Sequence, residues 1–83
     1  MPTIISRHLV FEPVGTKPNS PIDIITRRGN ELIGRVVWYG PWKKFVFSPM
    51  PDTVWDAACL ADVTNALVKT EEAYKETQNV RMV

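Results

Sequence analysis

The chain is 83 residues long, with a formal charge of +1, 45% hydrophobic and 23% charged residues, and a single cysteine, Cys59. That length holds one domain, expected over 1–83, with one core that removes only about 60–65% of the unfolded surface from water. The composition excludes a disordered chain, an internal disulfide framework and a thiolate zinc site, and the near-zero charge excludes a global pull toward nucleic acid or anionic membrane.

No apolar run approaches the roughly 20 residues of a membrane span. Residues 1–11 are interrupted by Arg7 and His8 and carry no small-residue cleavage site, so they do not read as a signal peptide. With one unpaired cysteine, the expected location is the cytoplasm.

In chain order, residues 3–11 (TIISRHLVF) alternate imperfectly and are β-branched at both ends, which predicts a strand. Residues 12–21 hold Pro13, Pro18 and Pro21 together with Gly15 and Asn19, a loop, because proline cannot donate to a ladder. Residues 22–28 form a second strand, Gly29-Asn30 a two-residue hairpin turn with glycine at φ > 0, and residues 31–39 a third strand. Gly40-Pro41 separates it from a fourth over 42–48. Beyond Pro49 and Pro51, a cap at Asp52 or Asp56 opens a helix. Its apolar stripe is Cys59, Leu60, Val63, Ala66, Leu67, Thr70 and Tyr74, at spacings of three and four. The periodicity fades after Thr77, so residues 78–83 are expected to fray. The fold class is therefore α+β: an antiparallel sheet of three to four strands with one C-terminal helix packed on one face.

Pairing across the two turns sets Ile25 against Gly34, Asp23 against Val36, Tyr39 against Trp42, Val36 against Phe45 and Gly34 against Phe47. One face then collects Leu32, Gly34, Val36, Trp38, Phe45, Phe47, Ile25 and the stem of Lys43, and is the expected core. Gly34 is its flat spot, over which Phe47 or the helix can pack closely. The other face collects Ile24, Thr26, Ile33, Arg35, Val37, Tyr39, Trp42, Lys44 and Val46. A one-residue slip would exchange the two sets.

Enzymatic chemistry is not expected. His8 has no carboxylate at a useful spacing, and Cys59 lies on the apolar stripe, where a free thiol is usually a small hydrophobe. A Cys59–His8 nucleophile and base would need the fold to join them. No metal-ligand spacing and no phosphate-binding glycine loop occurs, so no catalytic residue, metal or cofactor is expected. What stands above background is the second sheet face: Arg35, Tyr39, Trp42 and Lys44, with Arg28 at its rim. Rings with cations suit a protein hot spot. They also suit single-stranded nucleic acid, whose bases stack at about 1–3 kcal/mol each. A purely structural role, including homodimerisation through this face, is the third reading.

The run Gly34-Arg35-Val36-Val37-Trp38-Tyr39-Gly40-Pro41-Trp42-Lys43-Lys44-Phe45-Val46-Phe47 precedes Asp52-Thr53-Val54-Trp55 and Cys59-Leu60-Ala61-Asp62-Val63. Together these resemble small uncharacterised phage and prophage proteins with a Gly-x-aliphatic-x-Trp-Tyr-Gly-x-Trp stretch and a Cys-Leu-x-Asp helix opening. The resemblance covers roughly residues 25–72. It brings no activity, cofactor or catalytic residue with it. It implies a phage accessory protein working by stoichiometric binding to a protein partner in the host bacterial cell, inhibition of a host defence system being one such role.

Overall fold

The computed structural model describes residues 3–79, the side chains of 78 and 79 excepted. Five strands run in sequential order as an antiparallel meander: β1 (Ile4–Ile5), β2 (Leu9–Pro13), β3 (Ile22–Thr26), β4 (Leu32–Tyr39) and β5 (Lys44–Pro49). The helix α1 (Ala57–Asn79) follows and lies on one face. The α+β class holds, with five strands in place of three to four.

The extra strand arises inside residues 3–11. Ser6 Oγ accepts from the Leu9 amide at 3.0 Å and donates to the Leu9 carbonyl at 3.2 Å, while Ser6 N donates to that carbonyl at 2.8 Å. One hydroxyl thus serves both polar groups of Leu9, and the chain reverses at Ser-Arg-His. Arg27 Nη1 braces the reversal from below, donating to the carbonyl of Ser6 at 3.0 Å and to that of Arg7 at 3.4 Å. The proline-rich loop begins later than expected, because β2 runs through Pro13. Val14 N still reaches Pro21 O at 3.0 Å, and Ser20 Oγ accepts from Lys17 N at 3.0 Å.

The β3–β4 turn is longer than Gly29-Asn30. Thr26 N pairs with Glu31 O at 2.9 Å, so Arg27, Arg28, Gly29 and Asn30 all lie in the turn. The left-handed residue is Asn30 (φ 55°), and no described glycine has positive φ. Asparagine tolerates that conformation better than most side chains. The ladder then slips: Ile24 pairs with Gly34 but Ile25 with Leu32, leaving Ile33 as a bulge. This inverts the expected faces of β3. Ile24 is fully buried with Ile22, whereas Ile25 and Leu32 point to the open side.

At the β4–β5 connection the expected pairs are displaced by two residues. Val36 meets Phe47 and Trp38 meets Phe45. A slip of two preserves side-chain parity, so Gly34, Val36, Trp38, Phe45 and Phe47 still share the helix side. Lys43 caps a 3₁₀ turn (Gly40–Trp42) in the left-handed conformation, φ 52°, and lines a small helix-side pocket with Trp38, Phe45 and Tyr74.

Asp56, not Asp52, caps α1: its Oδ1 accepts from the Cys59 amide at 2.8 Å. Val63, Ala66 and Thr70 bury the centre of the helix against Leu9, Phe11, Ile22, Ile24, Val36 and Phe45. Tyr74 closes the far end, its ring centroid 4.7 Å from Trp38 and 5.8 Å from Phe45. Trp55 anchors the near end, edge-on to Phe47 at 4.8 Å, with its indole N–H donating to Thr53 Oγ1 at 2.9 Å. Leu60, expected on the stripe, is 43% exposed. It lies one residue past Cys59 and so turns away from the sheet. The fraying expected from residue 78 falls largely outside the described residues, and the helical backbone itself continues to Asn79.

Candidate functional site

With α1 on one side, the opposite side of the sheet has no element of its own chain across it among the described residues. Directly paired residues of antiparallel strands share a face, so the pairings fix what this open face displays. Ile5, Val10, Ile25 and Leu32 form an apolar row at one end. Glu12, Asp23, Arg35 and Ser48 form a polar row in the middle. Val14, held against Pro21 by a backbone bond, continues into a second apolar row with Val37 and Val46. Tyr39 and Lys44 pair at the end of the sheet, beside the 3₁₀ turn.

Of the residues singled out from sequence, Tyr39, Trp42 and Lys44 come together. The Trp42 ring stands edge-on to Tyr39, centroids 4.9 Å apart at 81°. Both are outside the core: Trp42 is 66% exposed and Tyr39 41%. Pro41 fixes the start of the turn, and Lys43 closes it by donating its amide to Gly40 O at 3.1 Å. The ring pair therefore sits on a conformationally restricted support, with Lys43 and Lys44 following Trp42 in the chain.

Arg35 and Arg28 stand apart from this tip. Arg35 Nε donates to Asp23 Oδ1 at 2.9 Å, an ion pair that neutralises it in the middle of the face. The expected register set Asp23 against Val36, on the wrong face for this pair. Arg28 lies in the β3–β4 turn, separated from Tyr39 by the 8-residue length of β4, about 26 Å. It joins Arg7, His8 and Arg27 around an open cleft of about 740 Å³, closed from the helix side by Asp52, Val54 and Cys59.

The fold does bring Cys59 and His8 to that same cleft, and Asp56, bonded to the Cys59 amide, interacts with both. The electrostatics oppose nucleophilic chemistry. Burial, then the neighbouring Asp56 carboxylate, push the Cys59 thiol above its ordinary value. Its thiolate is thus scarce at neutral pH, the reverse of an activated cysteine. Asp56 is held below the usual carboxylate range mainly by the Cys59 amide, with the thiol and the charge of His8 as lesser causes. Among the described residues no group of three or more His, Cys, Asp or Glu side chains is arranged to hold a metal ion. No helix among them is long and apolar enough to cross a membrane.

The apolar rows are half-visible in the sequence. Val37 and Val46 are where alternation places them, whereas Ile25 and Leu32 are concealed by the bulge. Ile5 and Val10 are concealed by the β1–β2 turn, which carries no sequence signal.

No family model matches the chain, and no solved structure matches it. A curated relative does: the "Uncharacterized 9.3 kDa protein" of Acholeplasma phage L2, 27% identical over 60 residues that span 72% of this chain and 77% of that protein. The chain is thus similar to a phage protein of nearly its own size, in keeping with the phage resemblance carried by its central aromatic run.

Proposed function

We propose that the protein is a phage accessory protein that binds a protein partner stoichiometrically, through the tip formed by Tyr39, Trp42 and Lys44. The observation that carries this reading is Trp42: a tryptophan 66% exposed, steadied by a neighbouring ring on a proline-started turn. A large ring already restricted in the free protein loses little side-chain entropy on docking, which is why such residues dominate interfaces. The site acts inside the host bacterial cell, where inhibition of a defence component is one outcome such binding serves.

Stacking of single-stranded bases would use the same two rings. The pairing of Arg35 with Asp23 disfavours it, because Lys43 and Lys44 then remain as the tip's cations and Glu12 lies on the same face. The test is Trp42→Ala combined with Lys44→Ala. The melting temperature should stay within about 2 °C of the parent, since exposed side chains contribute little to stability. Capture of the partner from host lysate should be lost. Unfolding of the double variant would assign the rings to the core, and oligonucleotide binding that weakens steeply with salt would replace the protein partner with a nucleic acid.

A further inference from the structure

We infer that the open face of the sheet pairs with the same face of a second copy of this chain, about a two-fold axis running parallel to the strands between β3 and β4. The order of residues on the face selects both the occupant and the axis. Rotation about that axis exchanges β3 with β4 and β2 with β5 while keeping each row at its own height. Asp23 then lies over Arg35 of the second copy, and Arg35 over its Asp23, so the two intrachain ion pairs merge into a four-membered network. Glu12 lies over a Ser48 hydroxyl. Ile25 meets Leu32, Val37 meets Pro21 and Val46 meets Val14, so each apolar row faces an apolar row.

The competing in-plane axis, perpendicular to the strands, sets Asp23 on Asp23 and Arg35 on Arg35, which like-charge repulsion disfavours. Self-complementarity of this kind is what an isologous interface requires. The size is also adequate. Four strands about 4.8 Å apart and roughly 20 Å long give a projected footprint of about 400 Å². Side-chain relief raises the area removed from water toward the roughly 600 Å² per partner at which standard interfaces begin. Covering this face also shields Leu32, 37% exposed in the single chain. Because the axis runs along the strands, both Trp42 turns emerge at the same end of the dimer. With sheets about 10 Å apart, they stand roughly 15 Å from each other, a two-pronged display of the tip.

Sedimentation velocity at about 100 µM is the direct assay, a concentration suited to an interface at the small end of the range. The wild-type chain should sediment as a dimer. Asp23→Lys and Arg35→Glu should each be monomeric, with dissociation constants raised at least about tenfold by like charges across the axis. An equimolar mixture of the two should recover a dimer, because the introduced lysine of one variant then faces the introduced glutamate of the other, and the native Arg35 of the first faces the native Asp23 of the second. Far-UV circular dichroism checks that each variant is folded, and Val46→Glu, outside the ion row, supplies an independent disruption that must also give monomers. A monomeric wild type overturns the inference. So does a dimer that survives Val46→Glu, or a pair of folded single variants whose mixture stays monomeric. None of these variants touches Tyr39, Trp42 or Lys44, so failure here leaves the tip's role standing.

Discussion

Gly34→Ala is the substitution that most directly tests how the sheet meets its helix-side layer. Gly34 is buried in β4, where a Cβ would stand 3.1 Å from Phe47 Cε1, 3.2 Å from the Ser48 carbonyl oxygen and 3.4 Å from Pro49 Cα. The Phe47 ring is a side chain, yet it cannot swing freely, because Trp55 packs edge-on against it at 4.8 Å. The Ser48 and Pro49 atoms are backbone of the neighbouring strand, so relief there means moving β5. Overpacking of one methyl in such a site costs about 1–3 kcal/mol. The smaller unfolded-state entropy of alanine returns about 0.4–1 kcal/mol. A net loss of about 1–2 kcal/mol follows, and at about 4–8 °C per kcal/mol for a domain of this size the melting temperature should drop by about 5–15 °C. Urea unfolding followed by tryptophan fluorescence measures the loss, and Gly34→Val should show a larger one. An alanine variant as stable as the parent, or more so, would refute the close approach of β5 to Gly34.

Two further predictions concern the helix. Tyr74→Ala removes the ring that spans Trp38 and Phe45 and should cost about 2–4 kcal/mol by chemical denaturation, whereas Tyr74→Phe should change stability by less than about 0.5 kcal/mol. Asp56, whose carboxyl is held below its ordinary value of 3.8, contributes its full stabilisation above that pH and loses it as the pH falls through the lowered folded value. Melting curves of Asp56→Asn should keep the cap at neutral pH and lack that acid-side component, while Asp56→Ala should lower the melting temperature already at pH 7.

Particular residues show which parts of this fold are legible in the sequence. The helix is legible because Cys59, Val63, Ala66, Thr70 and Tyr74 repeat at helical spacing over several turns, a signal that no local detail can reverse. The shared face of Val36, Trp38, Phe45 and Phe47 is legible even with a register two residues off, since parity survives an even slip. The faces of β3 are not legible, for the complementary reason: the bulge at Ile33 is a one-residue change, and it exchanges Ile24 with Ile25. Nothing in Glu31-Leu32-Ile33-Gly34 announces a bulge without the pairing in view. The fifth strand is hidden because Ser6-Arg7-His8 contains neither glycine nor proline, and its reversal depends on one hydroxyl.

The candidate site divides the same way. Tyr39, Trp42 and Lys44 come together because Gly40 and Pro41 force a tight reversal between them. Alternation along β4 places Arg35 correctly on the open face, but it sends its partner Asp23 to the other side, so the neutralising ion pair goes unseen. Arg28 is close to the rings in sequence alone, and an eight-residue strand carries the two to opposite ends of the sheet.

The sequential strand order has a consequence for synthesis. Every strand after β1 pairs with its immediate predecessor, so the hairpins can zip up one after another as they leave the ribosome, whereas the helix that seals them emerges only after all five. Until residues 57–79 have emerged, Leu9, Phe11, Ile24, Val36 and Phe45 have no cover. The nascent chain is then a sheet bare on both sides, and its vulnerability to premature release or to chaperone capture is concentrated in the interval between completion of β5 and emergence of the helix.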